Sequence, residues 1–183
     1  MSLPDVKYYT YADYLTWDDD TRCELIYGVP YMMAGTTTAH QRVVGEILYQ
    51  LYSFLKGKPC EVFTAPFDVR LNAGTYDDTV VQPDILVVCD KSKLDAKSCI
   101  GAPDMVVEVL SASSAKHDRT IKQKLYQSAG VREYWIIDPA HKIVDALLLN
   151  NGEYMIKSYG EEDAAPVSVL NGCVINLPDV FAE

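Results

Sequence analysis

Apolar positions recur with two different periods along this chain. Between residues 40 and 55, Val43, Val44, Ile47, Leu48, Leu51 and Leu55 fall at helical spacing, and Gly57 and Pro59 end the pattern. A second helix is predicted over 118–129. Its apolar stripe is Ile121, Leu125 and Ala129, with Gly130 as a left-handed terminator. Residues 62–71, 85–88, 105–110 and 134–137 read as strands, and the continuous runs at 85–88 and 105–107 suit central strands covered on both faces. Near the N-terminus, 24–27 and 31–34 flank a Gly28-Val29-Pro30 turn; near the C-terminus, Asn150-Asn151-Gly152 joins 143–149 to 154–159. This interleaving predicts an α/β fold: a mixed central sheet flanked by helices, with additional N- and C-terminal β-hairpins. No repeat or Gly/Ser/Pro-rich linker divides the chain, so residues 1–183 are expected to form a single domain.

Composition narrows the picture. With 183 residues, 49% of them apolar, the chain can bury a core without staples. No apolar run approaches the roughly 20 residues a membrane-spanning helix needs, and Met1–Lys7 lacks the pattern of a secretory signal. Five dispersed cysteines without a C-x-x-C pair suggest reduced thiols and a cytoplasmic location, with neither a disulfide frame nor a zinc cage. Sixteen Lys and Arg against 26 Asp and Glu give a net charge of −10, which argues against indiscriminate nucleic-acid binding. Lys116, Arg119, Lys122, Lys124 and Arg132 nevertheless cluster with Asp118 as their only acid, either as a solvated helix face or as a contact surface. Acidic residues gather at 18–20, most simply a solvated loop, and at 161–163.

Two carboxylates stand out. Glu108 interrupts the run Met105-Val-Val-Glu-Val-Leu110, where an unpaired charge would be expensive to bury. Asp84 follows Pro83 and opens 85–88, as a proline just ahead of a strand allows. Adjacent strands lie about 4.8 Å apart, so the two acids can share one divalent cation. The rival Asp104 lies four residues before Glu108 on the same strand, roughly 13 Å away, too far for both to chelate one ion. A structural alternative is that Asp84 and Glu108 face apart or pair with Arg70 or Arg132. Metal-assisted phosphodiester hydrolysis also benefits from a nearby cation. Leu110 cannot supply it, whereas Lys122 lies about 60° from the centre of its helix stripe and flanks the sheet, with Tyr126 one turn later. Lys124, at about 100°, points more to solvent.

Pro-Asp followed by Glu in the next strand resembles the PD-(D/E)-x-K nuclease superfamily. More closely, the chain resembles the Uma-type family of bacterial restriction-endonuclease-like domains. Glu24-Leu-Ile-x-Gly28, His40-Gln41, Gln82-Pro83-Asp84, Gly101 to Ser111, Asp118-x-x-x-Lys122-x-x-x-Tyr126, Gly130-Val-x-Glu133-Tyr134-Trp135 and Asp138-Pro139 carry the match. The resemblance implies a restriction-endonuclease-like core and Mg²⁺-dependent (or Mn²⁺-dependent) cleavage of DNA. Asp84 and Glu108 would hold the metal, and Lys122 would be the lysine that this family carries on the helix. Leu110 departs from the superfamily's E-x-K but agrees with the family. The competing expectation is a nuclease-like module that binds nucleic acid or protein without cutting. His40 is either a hydrogen-bonded core residue or a contact for metal-bound water or phosphate. Glu24 either pairs structurally or reaches the metal through water. Cutting both strands would call for a homodimer, and no membrane partner is expected.

Overall fold

The computed structural model describes residues 7–17, 22–33, 35–111 and 117–182. The expectations for the start of the chain, for the acidic run 18–20 and for Lys116 lie outside the described residues.

Among the described residues the centre is a six-stranded sheet in the order β11-β10-β9-β8-β6-β3. Its strands are β3 (Glu61–Thr64), β6 (Ile85–Val88), β8 (Met105–Val109), β9 (Glu133–Asp138), β10 (Ile143–Asn150) and β11 (Glu153–Gly160). Pairing is antiparallel throughout except between β8 and β9. A parallel neighbour needs a crossover of a dozen residues or more, and here it carries α3 (Gln123–Ala129). A second sheet, ordered β2-β1-β5-β4-β7, contains β1 (Cys23–Ile26), β2 (Val29–Met32), β4 (Asp68–Arg70), β5 (Val80–Val81) and β7 (Ser98–Ile100).

Every residue of β6 and β8 is buried, as their unbroken apolar runs anticipate. Alternate side chains serve two cores. Ile85, Val87, Met105, Val107 and Trp135 pack with Val43, Ile47 and Leu51 of α2 (Thr38–Leu55). Leu86, Val88, Val106 and Tyr134 pack with Leu125 and Tyr126 of α3 and with Ile26, Val69 and Val81 of the second sheet. Glu108 shares the parity of Val106, so it faces α3. Thr37 caps α2 by accepting the amide of His40 at 3.2 Å. Trp135 is fully buried and donates to Glu133 at 2.7 Å, completing the core strand expected at 134–137.

The α/β architecture and both hairpins are as the sequence predicts, and five local details differ. Residues 62–71 form two strands: Pro66 has no N–H to donate, and the chain turns there from the central sheet into the second one. Pro30 lies within β2 instead of a turn, which is tolerated because β2 is an edge strand. The first turn is Tyr27-Gly28, at φ of 50° and 75°, and a Cβ on Gly28 would lie 2.9 Å from the Tyr8 ring. The C-terminal hairpin loop is the minimal pair Asn151-Gly152, since Asn150 already pairs with Glu153. Cys60 and Cys89 are joined in a disulfide, against the expectation of reduced thiols. The antiparallel register Glu61↔Val88 brings these flanking residues face to face. Cys23, Cys99 and Cys173 are free and buried. Among the described residues no helix is long and apolar enough to cross a membrane.

Candidate active site

Antiparallel pairing matches Ile85 with Val107, so one step further Asp84 at the mouth of β6 stands opposite Glu108 near the end of β8. Neither pairs with Arg70 or Arg132: Arg70 is held by Asp77 and Asp95, and Arg132 by Asp104. Asp84 is fixed from two sides. Its Oδ2 accepts the Val109 amide at 2.8 Å and meets His40 Nε2 at 3.1 Å. Its carbonyl accepts from the Thr64 hydroxyl at 2.8 Å.

Glu108 is fixed from the crossover. Its Oε1 accepts from Lys122 Nζ and from the Tyr126 hydroxyl, each at 2.8 Å. Lys122 also lies 2.8 Å from Glu24 Oε1 and 3.8 Å from Asp118 Oδ1. That Glu24 oxygen accepts the Gln82 amide at 2.9 Å, tying β1 to the approach of β6. Glu24 is thus a pairing residue at the edge of the cluster.

Lys122 sits deeper than the helix stripe predicts. Residues Asp118–Lys122 form a π turn, in which the Gln123 amide reaches Asp118 O. The extra residue rotates the helix: Ile121 swings out to 38% exposure, while Lys122 and Tyr126 turn in, at 5% and 0%. The Tyr134 hydroxyl donates to Asp118 O at 3.2 Å and braces the wide turn. Lys124 is exposed, as expected.

Charge at this end of the sheet is unbalanced. Among the described residues, the carboxylates of Glu24, Asp84, Glu108 and Asp118 face two lining cations, Lys122 and Arg22, a formal excess of two acids. Burial drives the Glu108 carboxyl well above its usual range; Lys122 opposes this, and Asp118, Asp84 and Glu24 add to it. Burial also works against the Lys122 charge, but the carboxylates of Glu108, Glu24 and Asp118 overrule it and its pKa is raised. Tyr126 is pushed up by burial and by Glu108, so it stays a hydrogen-bond donor.

The cluster opens into a cleft of about 240 Å³ lined by Glu24, His40, Asp84, Glu108 and Lys122. Tyr126 lies beneath it, reaching the site through Glu108. Protein hydrogen bonds converge on Asp84 Oδ2 and Glu108 Oε1; among the described residues Asp84 Oδ1 and Glu108 Oε2 accept none. Two hard oxygen donors in an electron-rich cleft match an ion that keeps several waters and takes one or two carboxylates. Among the described residues no three His, Cys, Asp or Glu side chains enclose an ion by themselves. The donor set therefore fits an open Mg²⁺-type site better than a closed protein cage.

Sequence reasoning missed three residues that line the same cleft: Arg22, His117 and Asp118. Arg22 is exposed and makes no ion pair among the described residues. His117 packs against Tyr31 with ring centroids 5.0 Å apart and the planes tilted by 52°, and its Nε2, like His40 Nδ1, is buried without a hydrogen bond among the described residues. Only Asp118 carried a local signal, one turn ahead of Lys122.

The model of the Uma2 family, described as "Putative restriction endonuclease", matches residues 11–178. The chain belongs to the Uma2 family. Membership marks it as nuclease-like, with nucleic acid as its class of substrate. Two similar proteins from Synechocystis are the uncharacterized proteins slr1290 and sll1609. The first is 27% identical over 155 residues, covering 82% of this chain and 80% of the relative. The second is 26% identical over 143 residues, covering 75% and 79%. The fold is similar to the crystal structure of a "putative nuclease belonging to DUF820" from Anabaena variabilis. The TM-score is 0.76 at 18% identity, over 94% of this chain and 97% of that one.

Proposed function

We propose that this protein is a divalent-metal-dependent endonuclease that hydrolyses DNA phosphodiester bonds. What supports the reading most is the meeting of Asp84, Glu108 and Lys122, from two strands and a crossover turn, in one open cleft. Asp84 and Glu108 would hold Mg²⁺ or Mn²⁺ through their cleft-facing oxygens. Such an ion supplies Lewis-acid polarisation of the phosphate and a bound water of lowered pKa.

The chain's own groups do the positioning. His40 and the Val109 amide hold Asp84 in one rotamer, while Tyr126 and Lys122 hold Glu108. Lys122 brings the positive charge that offsets charge building on the phosphoryl oxygens. Arg22, free at the cleft wall, is placed to take a phosphate oxygen.

Nicking of a plasmid and of a duplex with an unpaired flank, each with Mg²⁺ or Mn²⁺, tests the reading. Wild type should cut, and Asp84→Asn, which keeps the side-chain volume, should fall to background with its fold intact. The competing reading, a module that binds without cutting, draws on the acid excess and on the engagement of Lys122 by Glu24 and Glu108. Equal cleavage by wild type and Asp84→Asn, or none by either, would remove the endonuclease assignment.

A further inference from the structure

The acid-rich cleft offers a polyanion few cationic contacts, Arg22 at its wall among them. Among the described residues it is net negative, and three cations of the basic segment after it are engaged: Lys122 is buried among carboxylates, Arg119 pairs with Asp145 at 2.7 Å, and Arg132 pairs with Asp104, which leaves Lys124 exposed. Polyanion affinity would gain from a further cationic surface.

The outer face of α2 is such a surface. Taking 100° per residue, Arg42, Gly45, Tyr49, Tyr52 and Lys56 fall within about 80° of arc, opposite the buried Val43, Ile47 and Leu51. Tyr49 is 65% exposed and Tyr52 61%, and Gly45 leaves the helix backbone between the cations and the rings uncovered. Arg42 and Lys56 make no ion pairs among the described residues, and no acid shares the stripe. Residues 35–60 carry Arg42, Lys56 and Lys58 against Glu46 alone, a net +2 in a chain of net −10.

Beside the tyrosines runs a groove of about 570 Å³, walled on the other side by the turn after β3, where Phe63 and Phe67 stack at 4.7 Å. This groove adjoins the catalytic cleft. Thr64 and Pro66 line the groove, Ala65 between them lines the cleft, and the Thr64 hydroxyl holds the Asp84 carbonyl. His40, at the start of α2, touches Asp84 itself. The stripe thus leads away from the metal carboxylates for about 21 Å along the helix.

Resting on the nuclease reading above, we propose that this face is a track for the single-stranded flank of the substrate. Unpaired bases stack on Tyr49 and Tyr52, while Arg42 and Lys56 follow the backbone. Exposed aromatic rings interleaved with cations suit unpaired bases, which offer a flat face in any sequence. A duplex offers only groove edges and phosphates. The substrate class is then DNA with an unpaired segment beside the scissile bond.

Fluorescence anisotropy of the full chain tests this in EDTA, so that nothing is cut, using a labelled mixed-sequence 20-mer and its duplex. The single strand should bind at least tenfold more tightly than the duplex. Tyr49→Ala and Tyr52→Ala should each weaken it on the order of tenfold, and the Phe variants should restore it. Equal affinity for the duplex, no binding, or neutral alanine variants would overturn the proposal. So would sedimentation showing that these alanines only dissolve a dimer, since the groove would then hold a second copy. The two readings fail separately. Tyrosine-dependent single-strand binding without nicking would sink the nuclease; Asp84-dependent nicking with tyrosine-independent binding would sink the track.

Discussion

Strand β8 ends in carboxylates on both sides, and the two ends behave differently. At its start, Asp104 follows a proline, accepts the Cys89 amide at 2.5 Å and pairs with Arg132, which is half exposed. One anion meets one cation, and the account closes. At its far end, among the described residues, Glu108 shares the buried Lys122 with Glu24 and Asp118, and the Asp84 carboxylate opposite meets His40 and a backbone amide. The Pro-Asp dipeptides that open β6 and β8 look alike in sequence. Because the two strands are antiparallel, they lie at opposite ends of the pair, and only Asp84 meets Glu108. The difference teaches that the distinguishing mark of the site is surplus negative charge facing a cleft, more than the presence of acids in a sheet.

Removing the shared cation should produce the largest effect. Lys122→Met takes the shared ammonium away from the buried Glu24 and Glu108, and should cost about 3–5 kcal/mol in denaturant unfolding. Adding Glu24→Gln should recover part of that loss. An unchanged midpoint for Lys122→Met would mean the buried pairs contribute nothing.

A second buried glutamate sharpens the contrast. Glu133 is enclosed in the core, accepts from Trp135 at 2.7 Å and from the Val169 amide at 2.9 Å, and does not line the cleft. Burial raises its pKa above the unfolded value. Its contribution to stability is therefore complete below the unfolded carboxyl pKa and is lost as pH rises through the higher folded value. Over that window wild type should lose stability relative to Glu133→Gln, measured by urea unfolding at a series of pH values. Parallel curves would contradict the assignment. The smallest effect belongs to the other end of β8: Arg132→Ala should cost about 1 kcal/mol, because the Arg132 side chain is half exposed and Asp104 keeps the Cys89 amide.

Much of this was legible before any coordinates. Glu108 announced itself by breaking an apolar strand pattern and Asp84 by opening one behind Pro83, and adjacent strands can bring such residues close. Lys122 was legible as a residue and not as an environment. The stripe through Ile121, Leu125 and Ala129 assumed 100° per residue from the start, and the π turn at Asp118–Lys122 moved the phase so that Ile121 faces solvent. Arg22 and His117 carried no signal, because they reach the cleft only through long-range packing. The Cys60–Cys89 bond depended on strand register, and the division at Pro66 on which sheet each half joined; spacing along the chain encodes neither. The aromatic stripe of α2 was present in the periodicity, but attention to the apolar face left its opposite unread.

The central claim is that Asp84 and Glu108 turn their unused oxygens toward one divalent ion. Crystals soaked in Mn²⁺ and measured at its absorption edge test it most directly. The account predicts one anomalous peak bridging these two carboxylates in wild type and none in Asp84→Asn. A peak elsewhere, or an empty cleft with both carboxylates ordered, would contradict it.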